Sequence, residues 1–125
     1  MPREIRLEQQ DELKYILNPV LNAKERTDGA YPVEVSGSSK SVDGHFLVRL
    51  HQSLDDSSID SVVGVAHKPE ELPKKVYECA REAGRKYAEK LECRFVDTTF
   101  EAQESGLPKV WDYSAPGKVR ISNRN

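Results

Sequence analysis

Residues 70–91 read EELPKKVYECAREAGRKYAEKL and form the most strongly patterned segment of the chain. Its apolar and small residues recur at spacings of three and four, which places them on one face of a helix. They are Leu72, Val76, Cys79, Ala80, Ala83, Tyr87 and Leu91. Because the middle of this face consists of small side chains, with Gly84 beside them, another backbone can approach it closely. The segment therefore predicts a long helix that packs across a β-sheet.

Three segments before this helix alternate between apolar and polar residues, as strands with one covered face do. They are Tyr31 to Val35, His45 to His51 and Ile59 to Ala66. The Gly- and Ser-rich run from Ser36 to Ser41 predicts a long loop between the first two strands. After the helix, Cys93, Phe95 and Val96 predict a fourth strand.

The N-terminal segment is also predicted to be helical, from its apolar spacing. That spacing is carried by Leu13, Ile16, Leu17, Val20 and Leu21. Pro19 would interrupt a continuous helix, but Asn18 as N-cap and Pro19 in the first turn can start a second one. We therefore expect a helix near residues 10–18 that restarts and runs to about residue 24.

Together these elements predict an α+β fold. An antiparallel sheet of three to five strands is packed on one face by the long helix, in the order α-β-β-β-α-β. With 125 residues the chain suits one core. We expect a single α+β domain over residues 1–98. Residues 99–125 form a C-terminal arm, anchored by Trp111 on its own domain or on a partner.

Composition argues against attachment to nucleic acid or membrane by bulk charge, because 19 basic and 21 acidic residues leave a net charge of −2. No run approaches the roughly 20 apolar residues of a membrane span, and the N-terminus lacks the apolar core of a signal peptide. We therefore expect a cytoplasmic protein.

The two cysteines, Cys79 and Cys93, lack zinc-site spacing and are interpreted as inert thiols. No metal or cofactor is predicted.

The strand from His45 to His51 carries the best candidate site. Its period of two places His45, Arg49 and His51 on one side of the sheet. Two imidazoles beside a guanidinium can bind a phosphate or transfer a proton during phosphodiester chemistry. The same residues are equally typical of the solvated side of an antiparallel sheet. Leu47, in their midst, indicates that a partner or the arm covers this side.

A second candidate is a basic surface at the start of the long helix. Lys74 and Lys75, with Lys68, Arg81 and Arg85, could face a nucleic-acid backbone. The predicted order of helix, three strands and helix is also similar to the double-stranded-RNA-binding fold, which places basic residues at the start of its last helix. Glutamates spaced four residues before the lysines favour instead a solvated helix surface made of ion pairs.

Two further clusters have ordinary structural explanations. Asp55, Asp56 and Asp60 supply oxygens that suit a hard divalent cation, but aspartates are also common turn-capping residues. Cys79 could pair with a histidine as a nucleophile, but its position on the covered helix face is wrong for meeting a substrate.

These observations leave two functions open. The first is a small non-catalytic binding or assembly module that self-associates or binds a protein partner, with Leu47 and Trp111 as contacts and no membrane partner. The second is an RNA- or phosphate-ligand-binding protein, or a small phosphodiester-acting enzyme, that uses His45, Arg49 and His51, with Lys74 and Lys75 as further ligand contacts.

Overall fold

The computed structural model describes residues 3–21, 30–99, 108–114 and 120–123, with only the backbone described for 39–42 and 120–123. These residues form an eight-stranded sheet and one α-helix. In chain order the strands are β1 (Glu4–Asp11), β2 (Lys14–Val20), β3 (Val33–Val42), β4 (His45–Ser53), β5 (Ser58–Ala66), β6 (Arg94–Asp97), β7 (Lys109–Asp112) and β8 (Arg120–Asn123). A 3-10 turn at Pro69–Glu71 leads into the helix α1 (Leu72–Leu91).

The sheet is mixed, with the spatial order β5-β4-β3-β2-β1-β6-β7-β8. Neighbouring strands are antiparallel except for β1 and β6, which are parallel. The predicted fold class is therefore wrong: the sheet is larger than three to five strands, it is not purely antiparallel, and the described chain begins with strands rather than a helix. β7 and β8, which lie within the predicted arm, extend the sheet beyond β6. Residues 100–107 and 115–119 of that arm lie outside the described residues.

The segment predicted as the first helix forms β2 instead. Tyr15 and Leu17 are buried and Ile16 lies between them on the other side, which is the period of a strand. β2 pairs with β1 on one side and with β3 on the other, so tertiary pairing overrides the helical spacing. Pro19 is tolerated because pairing with β3 ends at Leu17. Residues 22–24 of the predicted restart lie outside the described residues.

The helix predicted over residues 70–91 is present as α1. Its buried residues are spaced by four and form one line oblique to the helix axis: Leu72, Val76, Ala80, Gly84 and Ala88. Cys79, Ala83 and Tyr87 flank this line and are half-buried. α1 contacts every strand from β1 to β6 and so covers one side of the sheet. We call this side the helix face and the opposite side the open face, although its part formed by β1, β6 and β7 is also buried, as at Val96.

Glycines on both layers allow this close contact. A Cβ at Gly84 of α1 would lie 2.7 Å from Cζ of Phe95 and 2.9 Å from Cδ2 of Leu17. On the sheet, a Cβ at Gly37 would lie 2.8 Å from Cγ2 of Val76. These distances are shorter than carbon atoms tolerate, so side chains of the sheet rest on the helix backbone at Gly84, and a helix side chain rests on the sheet backbone at Gly37.

The segment predicted as a long loop, Ser36 to Ser41, belongs to β3. The hairpin to β4 closes through Asp43 and Gly44, whose φ angles of 51° and 79° are both positive, as a tight type I′ turn requires. The strand pairing is irregular between Gly37 and Ser41. A Gly/Ser-rich composition therefore marks an irregular strand here rather than a loop.

We expect Gly84→Ala to lower the free energy of unfolding. Alanine gains about 1 kcal/mol in helix propensity, but the methyl group must displace the buried ring of Phe95, which costs about 1–3 kcal/mol in a packed core. The net decrease should be about 1 kcal/mol and can be measured by urea unfolding.

Lys90→Ala, at an exposed position of the same helix, is the matched control and should change stability by less than about 0.5 kcal/mol. A Gly84→Ala protein as stable as the wild type would contradict the close packing of α1 on Phe95.

Candidate functional site

The strand β5 forms an edge of the sheet and is unusually apolar for that position. It pairs with β4 on one side, and no described strand lies on its other side. Four large apolar side chains on it are 39% to 49% exposed: Ile59, Val62, Val63 and Val65. An edge strand presents backbone N–H and C=O groups that a further strand can pair with. β5 therefore combines exposed apolar side chains with an open backbone edge.

An open groove runs between α1 and the β4–β5 pair on the helix face, with a volume of about 560 Å³. Its apolar lining comes from Val33, Leu50, Ile59, Val63, Cys79 and Ala83. Its charged lining consists of two lysines and two glutamates, Lys75, Glu78, Glu82 and Lys86, whose formal charges cancel. We call this site the α1–β5 groove. It is an apolar channel with no net charge along its rim.

Small residues and an irregularity in β5 open this groove. A Cβ at Gly64 would lie only 2.5 Å from the sulfur of Cys79, so helix and strand meet closely at that point. The pairing with β4 shifts there, because Val48 faces Gly64 whereas Arg49 faces Val62. Val63 is left as an extra residue and joins the groove lining.

Cys79 acts as part of the apolar wall of the groove. Its thiol donates a weak hydrogen bond to the carbonyl oxygen of Val63, at 3.5 Å. Burial raises the pKa of Cys79, and burial also raises the pKa of Cys93 to about 11. Both cysteines are free thiols. Because the thiolate is the nucleophilic form, these pKa directions do not favour a nucleophilic role.

The candidate residues His45, Arg49 and His51 share the open face, but they do not form one cluster. His51 contacts Asp60 through Nδ1 at 2.7 Å and Ser53 through Nε2 at 3.1 Å. The ring of His45 instead packs edge to face against another histidine, with the centroids 4.8 Å apart. His45 and Arg49 are four strand residues apart, or about 13 Å. The period of two brings the three residues to one face without bringing them together.

The contacts among Ser53, His51 and Asp60 have the connectivity of a hydrolase triad. The turn that follows Ser53 is closed by a hydrogen bond from the Leu54 N–H to the Ser57 carbonyl, so Asp55 and Asp56 are its central residues. Their negative charges would oppose a developing oxyanion. The side chains of His51 and Asp60 are also 45% and 67% exposed. We therefore interpret these contacts as a surface network.

In the part of the chain that the structure describes, the acidic side chains of this turn are not grouped as metal ligands are. Asp60 is engaged by His51 and also accepts a hydrogen bond from Ser58 at 3.5 Å. Among the described residues, no group of three or more His, Cys, Asp or Glu side chains could hold a metal ion.

The predicted basic surface lies on α1, across the sheet from Arg49 and His51. Lys74 is exposed, and Lys75 lines the α1–β5 groove. Arg85 forms ion pairs with Glu82 and Glu89, the latter at 3.0 Å. The helix surface thus carries intrahelical ion pairs beside its lysines.

Of the two predicted partner contacts, Leu47 faces Val65 across the open face. Trp111 belongs to β7 on the helix face, where it stacks on Phe95 at 5.4 Å and lies 5.2 Å below the guanidinium of Arg81. Leu47 and Trp111 therefore lie on opposite faces of the sheet.

A buried polar cluster between α1 and β6 was not predicted. Asp97 is fully buried and accepts hydrogen bonds from the Tyr77 hydroxyl at 2.7 Å and from the Thr99 N–H and hydroxyl at 3.0 and 2.6 Å. The Nε atom of Arg81 lies 3.6 Å from the same carboxylate. Burial, with the carboxylate nearby, raises the pKa of Tyr77 to about 12. The cluster anchors α1 to β6.

The sequence contains a signal for this cluster. Phe95 and Asp97 are two residues apart in a strand, so they point to the same face, and a carboxylate on the covered face needs hydrogen-bond partners. Tyr77 and Arg81 are four apart on the helix and therefore lie side by side.

Among known proteins, no family model, curated protein or solved structure matches the chain. No helix in the described part of the chain is long and apolar enough to cross a membrane.

We expect stability to fall as the pH rises from 10 to 12, in part through Tyr77. The folded protein keeps the Tyr77 proton up to about pH 12, whereas the unfolded chain loses it near pH 10. Tyr77→Phe should lower the free energy of unfolding at pH 7 by about 1–2 kcal/mol through loss of the hydrogen bond to Asp97. It should also flatten the alkaline decline.

Urea unfolding at several pH values measures both effects, and tyrosinate absorbance shows which tyrosine ionises late. The tyrosinate titration curves of the wild type and Tyr77→Phe are compared. If the tyrosine missing from the variant's curve is one that ionises near pH 10, the buried hydrogen bond to Asp97 is not present in solution.

Proposed function

We propose that this protein is a non-catalytic binding module that captures an extended segment of a partner protein along β5. The observation that carries the proposal is an apolar edge strand directly beside an open apolar groove. In strand addition, backbone hydrogen bonds provide affinity, and pockets for alternate side chains provide specificity. β5 supplies the backbone edge, and the α1–β5 groove supplies the pocket.

The lining of the groove defines the chemistry of the partner. An added strand would direct alternate side chains toward the helix face, where Ile59, Val63 and Ala83 offer apolar contacts. The groove volume of about 560 Å³ lies in the usual range for ligand pockets, about 300–1,000 Å³. Since the charges of the rim cancel, the groove distinguishes only weakly between partner segments of different net charge. The expected partner segment has apolar residues at every second position.

A different protein suits this edge better than a second copy of the chain. Among the antiparallel registers open to two β5 strands, the one centred on Asp60 would place two carboxylates directly opposite each other, and like charges in that position are destabilising. The irregularity at Val63 also limits the length over which two identical strands can pair. Both features disfavour self-pairing, and neither prevents pairing with a partner strand of a different sequence.

The alternative of a phosphate-bearing ligand at His45, Arg49 and His51 has less support. Both ring nitrogens of His51 already contact protein atoms, and the nearest charged neighbour, Asp60, is negative. A phosphate would have to displace that carboxylate or bind beside its like charge.

The proposal can be tested with a displayed library of short random peptides. Enriched peptides should alternate apolar and polar residues, and their binding should slow hydrogen exchange at those β5 amides that do not bond to β4. Ala83→Phe, which fills the groove, should weaken binding by at least about tenfold, equivalent to about 1.4 kcal/mol.

Lys90→Phe adds the same ring at an exposed helix position outside the groove and should leave affinity within about twofold of the wild type. Peptides that protect another strand, or that bind Ala83→Phe normally, would contradict the proposal. A dimer of the free chain that Val62→Lys dissociates would show that the occupant is a second copy.

A further inference from the structure

Two of the three histidines meet across the β4–β5 pair, away from the α1–β5 groove. His45 begins β4, and His67 directly follows the last residue of β5. Since Phe46 faces Ala66 in the strand register, His45 and His67 come opposite each other on the open face. Their rings are 4.8 Å apart between centroids and inclined by 72°.

We propose that His45 and His67 together chelate a divalent transition-metal ion such as Zn²⁺, Ni²⁺ or Cu²⁺. Imidazole nitrogen is a preferred ligand for these ions. Neither ring has a hydrogen bond or an ion pair within the described residues, so nitrogen atoms of both are available. His51, by contrast, has both ring nitrogens engaged.

The separation of the rings fits a shared ion. Zinc lies about 2.0–2.1 Å from an imidazole nitrogen and so about 3.2 Å from the ring centroid. Two rings on one ion, at angles from about 90° to about 109°, then have centroids about 4.5–5.2 Å apart. The observed 4.8 Å lies within this interval. Rotation about the side-chain torsions of these rings would turn one nitrogen of each toward the ion.

The site would be open rather than closed. No third His, Cys, Asp or Glu completes it among the described residues, so water would fill the other coordination positions. The two histidines would act as a chelate. Once one imidazole binds the ion, the paired strands hold the second imidazole close to it, at a high local concentration. A bound ion would cross-link the start of β4 to the end of β5.

The test uses the untagged chain, titrated with ZnCl₂ by calorimetry and with CuCl₂ by NMR line broadening. One equivalent should bind, and broadening should centre on residues 45–47 and 65–67. His45→Ala and His67→Ala should each weaken Zn²⁺ binding by at least about tenfold, because each leaves a single imidazole.

His51→Ala is the matched control, since it removes an exposed histidine of the same strand, and it should leave Zn²⁺ affinity within about twofold of the wild type. Equal affinity in all three variants, or loss of binding in His51→Ala alone, would overturn the proposal, and the latter would place the ion at the acidic turn. Absence of Zn²⁺ binding to the wild type would overturn it as well. None of these results depends on whether β5 binds a peptide.

Discussion

The close contact between α1 and the sheet, made at glycines of both layers, sets the rest of the architecture. Gly84 lets the helix rest on Phe95 and Leu17, and Gly37 admits the side chain of Val76. Interiors are packed at the density of organic crystals, so a contact this close sets the position of the whole helix. The hydrogen bonds of buried Asp97 to Tyr77 and Thr99 then hold the helix above β6.

The same contact explains why the molecule has a groove at one edge of the sheet. Small residues continue along the helix to Cys79 and Ala83, but the sheet beneath them ends at β5. A helix placed low over the middle strands therefore overhangs an edge strand that it does not fully cover. On the other flank of α1, aromatic residues narrow the equivalent space, because Trp111 stacks on Phe95 under Arg81. The groove and the exposure of Val63 within it are consequences of one packing arrangement.

Local periodicity predicted some elements and failed for others, for identifiable reasons. The helix α1 and the alternation in β4 were predictable because the helical pattern continues over several turns and the strand pattern over several alternating residues. β2 was misassigned because Leu13, Ile16 and Leu17 fit a helical spacing by coincidence, whereas burial of Tyr15 and Leu17 follows the strand period. The order of strands was not predictable, since alternation shows which face a residue occupies but not which strand lies beside it. The edge position of β5 depends on that order, and the pairing of His51 with Asp60 depends on which residues close the turn after Leu54.

The parallel pair formed by β1 and β6 has a consequence for synthesis of the chain. Glu4 pairs with Arg94 and Leu7 with Asp97, so a central strand finds its neighbour about ninety residues later. The hairpins from β1 to β5 can form on a nascent chain, but one side of β1 and the apolar helix face remain uncovered until the ribosome has released α1 and β6. Chaperone demand should therefore be greatest in that interval, when a strand that ends up in the middle of the sheet is still an unpaired edge.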